Sequence, residues 1–290
     1  SQSSTSPDGF SNSLKLDCTA EDASPDYLLI CKRFEGQNLQ HIQKGTSGAK
    51  STTLSFYVRS SKTGTYQVNL NDNDNTRMIG ATYTISSANT WEYKTITFAG
   101  DTTGTFDNDS SLSLQIEWWI ASGSTYNSGA VPTSWEAKVD VDRAAGLNVA
   151  IGASTDDEFY ITGIQLEVGD TATPFEHRSF GDELAACQRY YTEIQKASGQ
   201  VINSSTGIFS GVFPTEMRTT PTASINAALS MWQIGLAGGW NQSSASISVS
   251  SSINSASVFN AECVNFSGLT THQATAIAGG DQPLKFDAEL

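Results

Sequence analysis

Apolar and polar side chains alternate with a period of two along several stretches in the first half of the chain. In LSFYVRS, Leu54, Phe56 and Val58 fall on one side, and Ser55, Tyr57 and Arg59 on the other. YQVNLND sets Tyr66, Val68 and Leu70 against Gln67 and Asn69, and YKTITF sets Ile96 and Phe98 against Tyr93, Thr95 and Thr97. The longest is SLSLQIEWWI, with Leu112, Leu114, Ile116, Trp118 and Ile120 inward and Ser113, Gln115, Glu117 and Trp119 outward. This period marks antiparallel strands with one buried face. The separators SKTG, NDNDN, SSANT and GDTTGTFDNDS are turn sequences. Short strands so punctuated predict a two-sheet sandwich.

The pattern changes after residue 178. In SFGDELAACQRYY, Ser179 stands three residues before Asp182, as in a capping box, and Leu184, Cys187 and Tyr191 fall on one helical stripe. A helix this short needs a neighbour to dock on. From residue 196 the strand-and-turn pattern returns with many Ser and Ala, which predicts a thin core that oligomerisation would support. In MWQIGLAGGW, Trp232 and Trp240 flank a Gly-rich turn. That turn reads as a packing corner, or else as an exposed tip.

Composition narrows the function classes. The chain has 290 residues, 38% hydrophobic and 16% charged, with a net charge of −14. No basic cluster tracks a phosphate backbone or an anionic membrane surface, so neither nucleic acid nor lipid is an expected partner. No apolar run approaches the ~18 residues of a membrane span. The chain opens at SQSSTSPDGF without Met or a signal peptide, which is expected of a fragment or a processed form. Cys18, Cys31, Cys187 and Cys263 lack metal-site spacing. A Cys18–Cys31 bridge requires paired strands, and the leading expectation is four buried thiols.

No nucleophile elbow, zinc helix, dinucleotide loop or phosphate loop is present. His41, His177 and His272 are scattered and read as surface or junction residues. The acids Asp140/Asp142 and Asp156/Asp157/Glu158 could in principle form a hydrolase pair, but read better as solvated turn residues. NDNDNTR lacks the Gly and terminal Glu of a calcium loop and reads as a tight turn. A non-enzyme is expected, and a binding surface remains. If YVRS, YQVNL, YKTITF and LQIEWW share a sheet, one outer face carries Tyr57, Arg59, Gln67, Asn69, Gln115, Glu117 and Trp119. Trp119 would stack on sugar rings while amides and carboxylates bond the hydroxyls. An outward tryptophan equally fits a face covered by another loop or by a second subunit.

LSFYVRSSKTGTYQVNLNDNDNTRMIGATYTISSANTWEYKTITFAGDTTGTF resembles the carbohydrate-binding-module-like jelly-roll domain of bacteriophage tail-fibre and virion proteins. YITGIQLEVGDTATPFEHRSFGDELAACQRYY is similar to the strand, TPFE-type turn and CQRYY helix that end that domain. FPTEMRTTPTASI and FDAEL resemble the small distal domain beyond it. The resemblance implies an all-β chain: a jelly-roll β-sandwich at 1–178, a short connecting helix at 179–195, and a smaller C-terminal β-sandwich or barrel-like, oligomer-forming domain at 196–290. It implies a tail fibre or spike of the virion, a homotrimer whose particle-anchoring stem is missing from this sequence, that contacts a host surface glycan or receptor and other virion proteins. A mainly structural capsid-decoration or head-fibre role, and a non-catalytic sugar-binding module of a larger enzyme, are the alternatives. Many calcium-binding sugar modules carry paired aspartates in the last strand. Thr162 and Gly163 stand at that place here, so no cofactor is expected and a structural calcium is disfavoured.

Overall fold

The computed structural model describes all residues except 23, 226–228, 234–240, 245, 250–254, 278–282 and 290. The chain is all-β and divides into two compact units, Ser1–Glu176 and His177–Leu290.

The first unit is a jelly-roll-like sandwich of two antiparallel sheets. Sheet I contains β1 (Gln2–Ser3), β2 (Ser13–Asp17), β4 (Thr52–Ser60), β7 (Glu92–Phe98) and β10 (Glu158–Val168), in the order β1-β2-β10-β4-β7. Sheet II contains β3 (Tyr27–Glu35), β5 (Gly64–Asp72), β6 (Arg77–Ile85), β8 (Leu112–Ser122) and β9 (Glu136–Ala137), in the order β3-β8-β5-β6-β9. A short helix, α1 (Ser124–Asn127), follows β8.

The inward positions of the alternating stretches make the core. Leu54, Phe56, Val58, Tyr66, Val68, Leu70, Leu114, Ile116, Trp118 and Ile120 meet Phe159 and Ile161 of β10 between the sheets. Removing each large side chain from water stabilises the sandwich by roughly 1.5–3 kcal/mol. Aromatic contacts add orientation: Trp118 meets the Phe56 ring edge-on at 5.9 Å, and Tyr66 stacks on Tyr83 at 5.5 Å. The sheets are therefore built from the strands the pattern marks, but those strands are shared between two layers. β4 and β7 pair in sheet I, whereas β5 and β8 pair in sheet II.

In the second unit, α2 (Phe180–Gln188) begins as its sequence predicts. The Ser179 hydroxyl accepts the Asp182 amide at 3.2 Å. The helix buries none of its residues, and Leu184 and Tyr191 stay 43% and 37% exposed. Among the described residues of its own unit, nothing buries the stripe.

Among the described residues, β11 (Tyr191–Ile194), β20 (Leu284–Asp287) and β14 (Thr222–Ser224) form a three-stranded sheet. β12 (Ser198–Asn203), β13 (Thr206–Val212), β15 (Leu229–Gln233), β16 (Asn241–Ser244), β17 (Ser246–Val249), β18 (Val258–Val264) and β19 (Ala274–Ile277) form a second, in the order β16-β15-β19-β12-β13-β18-β17. The core they share is thicker than a Ser/Ala-rich composition predicts. Phe213, Phe259 and Phe286 pack ring to ring at 4.9–5.4 Å, with Phe209, Met231 and Leu284 around them. Trp232 is 56% exposed, which removes it from the expected packing corner, and Trp240 lies outside the described residues.

All four cysteines are free. Only Cys263 is buried, its thiol pushed up to about 12 by desolvation; Cys31 and Cys187 are exposed and Cys18 is intermediate. The expectation of four buried thiols fails because Cys31 lies on the outer face of a strand, Cys18 just past a strand end and Cys187 on a helix that buries none of its residues. Cys18 follows β2 of sheet I and Cys31 sits in β3 of sheet II, so no paired strands bring them together.

Candidate functional site

The residues expected on one binding face lie on two. Gln67 and Asn69 of β5 stand beside Trp119 and Glu117 of β8 on the outer face of sheet II, with Gln115 one row further on. Tyr57 and Arg59 belong to β4 and face outward from sheet I. One sheet does not hold all four strands, because consecutive strands of this sandwich cross between layers.

The sheet II face is not open. Gln67, Asn69, Glu117 and Trp119 are each 0% exposed, because residues 123–148 fold back over them. Arg143 in this cover sends its guanidinium to Glu117 at 2.6 Å, and lies 5.1 Å from the Trp119 ring and 5.3 Å from that of Tyr126. Glu117 also accepts from Trp119 Nε1 at 3.0 Å and Gln115 Nε2 at 2.8 Å. Burial works against the Arg143 charge, but the hydrogen bond and charge of Glu117 prevail and raise its pKa.

The amides grip the cover's backbone. Gln67 Nε2 donates to Asp142 O at 3.0 Å, Asn69 Nδ2 donates to Arg143 O at 2.6 Å, and Gln67 Oε1 accepts the Gly146 amide at 2.7 Å. Gly146 must be glycine for this approach, since a Cβ there would sit 2.3 Å from Thr82 Cγ2. The polar groups that looked suited to sugar hydroxyls are thus bonded to the chain itself. Trp119 is a structural residue, and the stacking role expected of it fails.

The outer face of sheet I has a different character. Phe175, Phe10, Tyr57 and Tyr93 form a line of rings, with centroids 5.1, 5.4 and 4.8 Å apart along it. Tyr93, on the edge strand β7, is 45% exposed, and Phe10, Phe175 and Tyr57 are half-buried. The line depends on Gly163. It sits at φ 59° in a bulge of β10, and a Cβ there would come 2.7 Å from the Phe10 ring. Beside this line, Tyr160 lies under the Arg59 guanidinium at 4.8 Å and meets Trp91 edge-on at 6.1 Å.

On this face Lys15 binds Glu158 at 2.6 Å and Asp17 at 3.2 Å, whereas the Lys94–Glu92 pair of β7, at 2.6 Å, lies on the opposite side of that strand from Tyr93. The Glu158 bond raises the Lys15 pKa, and reciprocally holds the Glu158 carboxyl below its ordinary value. Sequence reasoning missed Phe10, Trp91, Tyr160 and Phe175 as members of this surface. The alternation of YKTITF does mark Tyr93 as outward, and that was the available signal.

The remaining candidate chemistry is structural. Asp72, in the NDNDN turn, is buried and bonds the Lys44 ammonium at 2.5 Å. Asp101 lies 3.1 Å from the same ammonium, which donates to the carbonyls of Thr103 and Gly104 at 2.8 Å each. Asp157 is buried as well, bonded to Lys62 at 2.7 Å and to the amides of Gly152 and Ser154. It is therefore not the solvated turn acid expected. The three histidines are exposed.

Thr162 and Gly163 do not suit a calcium ion. The Thr162 hydroxyl donates to Asn12 O at 2.9 Å, and Gly163 has no side chain to offer. Among the described residues, no group of three or more His, Cys, Asp or Glu is placed to hold a metal. No described helix is long and apolar enough to cross a membrane. No protein-family model and no curated protein matches this chain.

Proposed function

We propose that this chain is a non-catalytic, carbohydrate-binding component of a bacteriophage virion appendage, a tail fibre or spike, that attaches the particle to host-surface glycan. The observation that carries the binding role is the line of Phe10, Tyr57, Tyr93 and Phe175 on the outer face of sheet I, which ends at exposed Tyr93. Exposed rings flanked by hydrogen-bonding side chains serve sugars, whose ring faces are apolar and whose edges carry hydroxyls. The resemblance of residues 160–191 to the end of a phage fibre domain supports the virion assignment and the homotrimer, with host glycan and other virion proteins as partners.

Labelled full-length protein on whole host cells tests this reading. Binding that falls on glycan-stripped cells, and falls further with Tyr93→Ala, supports it. Equal labelling of intact and stripped cells would sink it. Antibody labelling of the capsid shell instead of the tail would move the assignment to a decoration protein.

A further inference from the structure

Resting on that proposed function, we infer that the glycan recognised by sheet I carries a carboxylate, as uronic and sialic sugars do, and that Arg59 binds it. Arg59 faces outward from β4, directly opposite Tyr160 of β10. Its guanidinium lies 4.8 Å from the Tyr160 ring centre, and its Nε donates to Asn89 O at 2.9 Å. The ring beneath and the bond at Nε hold the planar group in place. Its two terminal nitrogens are left for an outside acceptor.

No carboxylate among the described residues forms a salt bridge with Arg59. Glu158, whose charge reaches it, is already engaged by Lys15 at 2.6 Å and by the Tyr160 hydroxyl at 2.9 Å. A guanidinium keeps its charge at every physiological pH, and its fork matches a carboxylate through two parallel hydrogen bonds.

Two further observations favour an acidic sugar. Tyr57 is two residues from Arg59 on the same face of β4, about 7 Å along the strand. One sugar can therefore rest against the Tyr57–Tyr93 rings while its carboxylate reaches the guanidinium. Lys15, the other cation of this face among the described residues, is already engaged by Glu158 and Asp17, so Arg59 is the group left there to meet an outside acid.

The test compares full-length protein binding to tetragalacturonate and to its methyl ester, and to sialyllactose and lactose, by titration calorimetry at low and high salt. In at least one pair the acidic member binds about tenfold more tightly, as expected for one charge-assisted bidentate contact. That preference shrinks at high salt. Arg59→Ala and Arg59→Lys abolish the preference but leave the neutral member's affinity and the melting temperature unchanged, whereas Tyr93→Ala weakens both members alike.

Equal binding of acidic and neutral members overturns the acidic specificity and leaves the glycan-binding reading standing. A preference that survives both Arg59 variants overturns the role of Arg59. Absence of binding to any of these sugars overturns this inference together with the reading beneath it.

Discussion

The two outer faces of the sandwich start from the same kind of strand and end in opposite states. On sheet II, Gln67, Asn69, Glu117 and Trp119 are sealed beneath residues 123–148. On sheet I, Tyr57, Tyr93 and Arg59 face outward and stay at least partly exposed. The difference shows in how charge is handled. The covered face neutralises its acid with an arginine and tryptophan held in one network. The open face leaves Arg59 without an ion pair among the described residues. Outward-pointing polar groups therefore serve the fold on one side and stay at the surface on the other.

Mutations can separate the two faces. The largest effect is expected for Trp119→Ala, which empties a fully buried site and removes one donor from Glu117. Unfolding free energy in urea should fall by roughly 3–5 kcal/mol. A variant that melts like the parent would show that Trp119 is not under the cover. Arg143→Ala should cost somewhat less, about 2–3 kcal/mol, because the arginine is 16% exposed and its loss leaves Glu117 buried without its cation. The two substitutions share a network, so their double variant should lose less than the sum, a coupling that a double-mutant cycle measures.

Acid should act next. Burial works against the Asp101 and Asp157 charges, but bonds from Arg77, Lys44 and Lys62 and from backbone amides hold both carboxyls below their ordinary values. Below about pH 4 the unfolded chain binds more protons than the folded one, so this stabilisation is complete above that pH. It is lost as pH falls through the folded-state values. Chemical denaturation at successive pH values checks this, and removing either aspartate should flatten the acid limb.

The smallest stability change, within about 0.5 kcal/mol, is expected for Tyr93→Ala on the open face. Its effect should appear in attachment instead. By analogy with the stacking of bases on aromatic side chains, loss of the ring should weaken glycan binding by roughly 1–3 kcal/mol. A Tyr93 variant that unfolds while Trp119→Ala binds normally would reverse the comparison.

Much of the fold was legible in local order. Leu54, Phe56, Tyr66, Val68, Ile116 and Trp118 are inward because alternation on a pleated strand is a local property. Ser179 caps α2 because the cap and the amide it accepts are three residues apart. Glu117 was legible as outward, but its partner Arg143 comes from a segment of turns and short helices with no period of its own. Phe10 and Phe175 are similarly distant in sequence, yet they meet each other, and Phe10 meets Tyr57 beside the bulge at Gly163.

By itself, then, the sequence determined the strands, the side to which each residue points and the helix cap, since these follow from backbone geometry over a few residues. The tertiary structure decided how strands divide between two sheets, which polar face is covered and which aromatic residues meet. Those outcomes depend on contacts between residues far apart in the chain, where burial and charge pairing are settled only once the chain has closed on itself.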